Sequence, residues 1–129
     1  MAHANEELAR KGYDAFAKGD LDTIRGIFAD DIIWHVGGRS PLAGDYKGTD
    51  EVFGFFAKLV ELSGGSFRID VHDILANDEH AVVLATNHAE RNGKVLNDNI
   101  VGVYHNRGGK TAEAWFHPGD QYATDEFWS

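Results

Sequence analysis

The sequence carries seven histidines and 21 aspartates and glutamates but no cysteine, so chemistry done by its side chains is proton transfer and hydrogen bonding rather than thiol attack. The missing cysteines also remove disulfide scaffolds, iron-sulfur clusters and thiolate zinc sites. A metal is not expected: no His-x-x-x-His pair occurs, and the imidazoles are dispersed over both faces of the predicted sheet. The Gly-Gly pairs beginning at Gly37, Gly64 and Gly108 sit in turns, so they make no phosphate loop, and no cofactor is expected. No Ser-His-Asp arrangement has a motif behind it.

Helices must position these groups in the first half of the chain. Ala9, Tyr13, Phe16 and Ala17 share one face of a helix over Asn5 to Lys18. Gly19 stops it, and Asp20 caps a second helix with the stripe Leu21, Ile24, Ile27 and Phe28. Ile32 to Val36 reads as a short strand and Arg39 to Gly48 as a loop. Thr49 caps a third helix whose face is Val52, Phe53, Phe56, Leu59 and Val60 and which ends before Gly64-Gly65.

From Ser66 the apolar period becomes two. Phe67, Ile69 and Val71 alternate with Arg68, Asp70 and His72, and Asn77-Asp78 turns the chain. Strands then run over His80 to Arg91, Lys94 to Asn106 and Lys110 to His117, joined at Asn92-Gly93 and Gly108-Gly109. The class is α+β: three helices, one strand between the second and third, then a four-strand antiparallel meander.

A two-residue Asn92-Gly93 turn pairs His88 with Asn97, Thr86 with Asn99 and Leu84 with Val101, all on one face. The next hairpin adds Ala112, Ala114 and Phe116 to that face, with Asp120 continuing the alternation. Two readings follow: the polar end encloses a small-molecule pocket, or it is a solvated strand end. Trp34 has the parity of Ile32 and Val36 and is expected to line the pocket. With Phe16, Phe53, Phe56 and Phe116 it would hold a ring-shaped apolar ligand, core packing being the plainer reading. The Tyr13 hydroxyl points either into that pocket or to the surface. The opposite face, with Asn87, Asp98, Tyr104, Glu113, Trp115 and His117, suits a homodimer interface around Tyr104 and Trp115. The tail from Tyr122 to Ser129 is apolar enough to pack over the pocket mouth or a partner subunit.

Hydrophobic residues are 43% of the 129, enough for one core, so a single domain over 1–129 is expected. The net charge of -9 argues against nucleic acid as a partner. No apolar run approaches a membrane span, and the opening MAHANEELARKGYD lacks an apolar stretch of signal-peptide type. A soluble cytoplasmic protein is the expectation.

Several motifs together resemble the nuclear transport factor 2-like superfamily, and within it the ketosteroid isomerase and SnoaL-like polyketide cyclase branch. They are Tyr13-Asp14-Ala15-Phe16 with Gly19-Asp20-Leu21-Asp22, Phe28-Ala29-Asp30-Asp31-Ile32-Ile33-Trp34-His35, Gly48-Thr49-Asp50-Glu51-Val52, and Gly109-Lys110 with Glu113-Ala114-Trp115. The resemblance implies a cone-shaped, cystatin-like fold with three N-terminal helices on a strongly bent antiparallel sheet. Ketosteroid isomerases use an Asp base with a Tyr and a protonated Asp as oxyanion donors. Those positions fall here at Val36 (with His35 beside it), Gly12 (with Tyr13 next) and Val101, which argues against steroid isomerisation by that set. The cyclase pattern, an acidic residue shortly after Glu-x-Trp, points to Asp120 as proton-transfer residue, followed by His88 and His35. The resemblance thus implies a cofactor-independent isomerase, cyclase, dehydratase or hydrolase acting on an apolar ring compound. A non-catalytic ligand-binding or dimerisation module is the alternative, and a protein-transport adaptor has no docking segment to support it.

Overall fold

The computed structural model describes residues 3–129. Along the chain come α1 (Ala4–Lys18), α2 (Leu21–Ile27), β1 (Phe28–Val36), β2 (Gly44–Lys47), α3 (Thr49–Leu62), β3 (Arg68–Ala76), β4 (His80–Arg91), β5 (Lys94–Arg107), β6 (Lys110–Pro118) and α4 (Gln121–Trp128). Among the described residues no helix is long and apolar enough to cross a membrane. The corner between α1 and α2 follows from its sequence. Gly19 takes the left-handed conformation at φ 70° that closes α1, and the Asp20 carboxylate accepts the Thr23 N–H and hydroxyl.

The structure departs from expectation at five places. Phe28 leaves the α2 stripe and opens β1, which therefore begins four residues before Ile32. Asp30 and Asp31 stay exposed at a bulge there, and Arg107 donates to Asp31 at 2.7 Å. The expected loop after β1 contains a strand, because Gly44–Lys47 pairs back antiparallel from Val36↔Gly44 to Ile33↔Lys47. Gly48, not Thr49, caps α3, and the buried faces also shift: Ala15 replaces Ala17 on α1, and Phe55 replaces Val60 on α3. The apolar tail folds as α4, capped by the Asp120 carboxylate, which accepts the Ala123 N–H at 3.1 Å.

One six-stranded sheet runs β2-β1-β6-β5-β4-β3, antiparallel except for the parallel β1–β6 pair. The helices pack on it, α1 against β3 and β4, α3 against β1 and β2, and α4 against β5 and β6. The β4–β5 register is the one the Asn-Gly turn dictates, His88↔Asn97, Thr86↔Asn99 and Leu84↔Val101. Asn92 and Gly93 both have positive φ, 52° and 77°, as a type I′ turn requires.

The assignment of faces, however, is inverted. Val83, Ala85, Ala89 and Leu96 are buried beneath the helices with Asp98 and Tyr104, whereas His88, Asn97, Asn99 and Val101 lie on the outer face. A β-bulge between His105 and Asn106 also reverses the parity of β6. It pairs Tyr104 with Ala114 and Gly102 with Phe116, putting Phe116 inside with Tyr104 and leaving Trp115, Glu113 and His117 outside. His35, His72, His80, His88, His105 and His117 all belong to this outer face rather than being spread over two.

His35 straps three strands together from outside. Its Nδ1 meets Asp45 of β2 at 2.7 Å, its Nε2 meets Glu113 of β6 at 2.6 Å, and its ring stacks on Trp115. The hydrogen bond with Glu113, with Asp45 behind it, raises the pKa above the usual histidine value against the opposing effect of desolvation. A raised folded-state pKa stabilises the fold fully below the unfolded value near 6.5, and that contribution fades as pH rises through the folded value. The melting-temperature gap between wild type and His35→Asn is therefore expected to be wide near pH 6 and narrow by pH 9; a gap constant over that range would contradict the strap.

Just past the same end of β1, Gly38 has φ 91° and sits where a Cβ would run into Gln121 and Asp125 of α4. Asp125 accepts the Arg39 N–H at 3.0 Å and the Gln121 amide at 3.1 Å, latching α4 over this loop. Gly38→Ala should cost on the order of 1–3 kcal/mol in urea denaturation and speed proteolysis within α4, whereas wild-type behaviour in both assays would remove the latch.

Candidate functional site

Between the helices and the concave sheet face lies a cavity of about 160 Å³. Its floor is kept low by small residues. A Cβ on Gly102 would stand 3.2 Å from the Tyr104 ring and 3.4 Å from both Phe116 and the Tyr13 hydroxyl, so the glycine makes room for those three. Trp34 is the hub of the wall, with ring centroids 4.8 Å from Phe116, 5.4 Å from Phe56, 5.5 Å from Phe28 and 5.9 Å from Tyr104. The helix α4 closes one side through Gln121, Thr124 and Trp128.

Two polar features interrupt this apolar wall. The first is a phenol pair: α1 turns Tyr13 inward, β5 presents Tyr104, and the two hydroxyls meet at 2.5 Å. Burial pushes the Tyr13 pKa up to about 12, against the lowering effect of its bond to Tyr104, and burial drives Tyr104 well above the usual value. Both are therefore neutral phenols near pH 7. One O–H is spent within the pair, which leaves the other to donate outward, strengthened by the bond its oxygen already accepts.

The second feature is Asp98, 6% exposed, on the inner face of β5. Its Oδ2 accepts the Thr124 hydroxyl at 2.8 Å. Burial lifts its pKa above the ordinary aspartate value, the bonds from Thr124 and the backbone of Asp120 and Gly119 oppose this, and the charge of Asp120 adds to it. Across β4 its partner is Asn87, whose amide oxygen is buried without a hydrogen-bond partner, as is Trp34 Nε1. A buried carboxyl whose pKa is raised can take or give a proton in an apolar cavity.

Of the residues singled out in the sequence, Tyr13, Phe16, Trp34, Phe56 and Phe116 line the cavity. Phe53 does not, since it packs behind the wall against Phe28 and under Arg25. Asn97, Asn99 and Val101 stand on the outer face because the sheet curls the other way. So does His88, which bonds Asn97 at 2.6 Å and Asp70 at 2.9 Å. His35 is occupied by its strap, and Asp120 reaches the cavity only through its effect on Asp98. Those three titratable groups are thus not brought together. Tyr104, expected at an interface, is inside. Sequence reasoning misses Asn87, Asp98 and Tyr104 because it puts them together on the face it assigns to the outside.

Comparison with known proteins agrees with the fold. A soil-derived mobile gene cassette encodes Bal32a, whose structure is 35% identical, covers 98% of this chain and 97% of its own, and superposes with a TM-score of 0.95. A cystatin-like protein of unknown function from Xanthomonas campestris is 27% identical over 95% of this chain and 96% of its own, with a TM-score of 0.89. An uncharacterized protein of Mycobacterium bovis is 30% identical over 127 residues, 98% of this chain and 97% of that protein. The SnoaL-like domain matches residues 9–114, from α1 into the middle of β6, and this chain belongs to that family.

Proposed function

We propose that the protein is a cofactor-independent acid/base enzyme acting on an apolar, ring-containing carbonyl compound, through isomerisation, cyclisation, dehydration or hydrolysis. The carrying observation is the pairing, in one aromatic cavity, of a buried carboxyl with a raised pKa and a neutral phenol pair. The outward O–H of the Tyr13–Tyr104 pair donates to the substrate carbonyl and holds the charge that develops on its oxygen. Asp98 removes or returns the proton, and Asp120, proposed from the sequence as the acid or base, acts instead as a positioning residue. Its backbone and charge set the Asp98 pKa.

Deuterium uptake from D2O into cyclic ketones tests this reading directly. Asp98→Asn should lower the exchange rate by about 10²–10⁴ and Tyr13→Phe by about 10²–10³. In wild type the rate should rise with pH through a value above the ordinary aspartate range, because the base must be ionised. Equal exchange by wild type and Asp98→Asn would end the proposal. A wall so largely apolar also suits a binding protein, and wild type that binds ring compounds with no turnover at all would favour that second reading.

We also propose a homodimer through the outer sheet face. Val82, Leu84, Val101, Val103 and Trp115 form an apolar patch there, with Leu84 38% exposed. The pairing of a second copy would cover it. Leu84→Glu with Val103→Glu should convert a sedimenting dimer to monomer; wild type sedimenting as monomer at micromolar concentration would refute the interface.

A further inference from the structure

On the outer sheet face, away from the cavity, the strand register brings two imidazoles together. The two-residue Asn92-Gly93 turn makes Arg91↔Lys94 a hydrogen-bonded pair, and the ladder alternates from there. At the far end of β4, an odd number of steps away, His80↔His105 is therefore a non-hydrogen-bonded pair, the kind whose side chains approach most closely. The Asn106 N–H, which donates to the Glu79 carbonyl at 2.8 Å, has the same phase. The two rings stand 5.2 Å apart between centroids, at an angle of 44°. Two imidazoles on one tetrahedral ion, each nitrogen at about 2.1 Å, hold their centroids about 5 Å apart. Strand pairing alone thus sets the spacing that a two-histidine clamp needs.

The ring nitrogens of this pair are also uncommitted. His35 is held by Asp45 and Glu113, His72 by Thr86, His88 by Asn97 and Asp70, and His3 by Asp78. The rings of His80 and His105 have no side-chain hydrogen-bond partner among the described residues, and His80 is bonded to Asn77 through its backbone. His117 is likewise free but stands by itself across from Val101. Both members of the pair are only half-buried, which leaves an ion a way in.

Glu113 lies across from His105 on β6, but its carboxylate is engaged by His35 at 2.6 Å. Among the described residues no third histidine or carboxylate joins the pair. The clamp therefore fills two coordination positions and leaves the others to water. Imidazole nitrogens without carboxylate oxygens suit zinc and its transition-metal neighbours rather than calcium or magnesium. The net charge of -9 draws cations to the surface, and Arg107, further along β5, is offset by Asp31 at 2.7 Å.

We infer that His80 and His105 form a divalent transition-metal site on the outer sheet face, with one ion held by one nitrogen from each ring. Ala81 and Tyr104, their neighbours in the register, point to the opposite face, so the site is separate from the cavity and independent of the acid/base reading.

Calorimetric titration of the full chain with Zn2+ at neutral pH tests this, together with the histidine ring resonances of 15N-labelled protein. One Zn2+ per chain should bind and move the ring signals of His80 and His105 most, each signal being identified by its loss in His80→Gln or His105→Gln. Either substitution should weaken Zn2+ binding by about tenfold or more. His117→Gln, which removes an equally free but isolated imidazole, should bind as wild type does, and Ca2+ should give no heat. Zn2+ binding that survives loss of both histidines, that falls as far in His117→Gln, or that never appears at submillimolar concentration overturns the site. Ring signals of His80 and His105 that stay in place at saturation do the same.

Discussion

A curled sheet keeps a cavity against its helices only if its concave face carries side chains too small to fill the space, and most other features here follow from that constraint. Gly102 keeps the floor open, while bulky groups line the cavity from α1, α3, β1, β5 and β6. The bulge between His105 and Asn106 belongs to the same solution. It turns Phe116 inward and Trp115 outward, so that β6 contributes one ring to the cavity and one to the outside. Next to the bulge, the Thr111 hydroxyl donates to Asn106 at 3.0 Å, which satisfies two buried polar groups that the interrupted ladder would otherwise strand.

The same constraint explains how a carboxyl comes to be buried at all. Asp98 lies on the concave face, where water is scarce, and its ionised form is penalised by that position. The penalty is limited by Thr124 and the backbone after β6, so the side chain is tied to α4 as well as to the sheet. Because α4 is also latched through Asp125 to the loop after β1, the acid group and the cavity wall share one support. Displacing the helix would change the shape of the cavity and take the Thr124 hydrogen bond away from Asp98.

Much of the architecture was legible because it is written in local signals. Gly19-Asp20 made the helical corner, and Asn92-Gly93 fixed the β4–β5 register residue by residue. The family resemblance supplied the cone. The side of the sheet was not legible, and the reason is physical. A core-facing strand surface is normally the more apolar one, but here the inner face must stay small and partly polar, with Asn87 and Asp98, while Val82, Leu84, Val101 and Val103 point outward. Reading the more apolar alternation as buried therefore selected the wrong face. It carried His88, Asn97 and Asn99 into the predicted site and Tyr104 out of it. The parallel β1–β6 pairing and β2 were also out of reach, since neither leaves a turn signal of its own.

That inversion bears on how the two faces divide the work. If an apolar outer surface were the accidental result of a strand-rich composition, its polar residues would be scattered at random between the faces. Instead, six imidazoles stand outside with Asp45, Asp70 and Glu113, and the described cavity wall has none. Groups that change charge near neutral pH are thus kept where water or a partner can solvate them. The interior retains groups whose buried neutral forms are stable near pH 7, the two phenols above all. A cavity built that way holds its phenol donors neutral near pH 7, and among the described residues Asp98 is the one carboxyl in its wall.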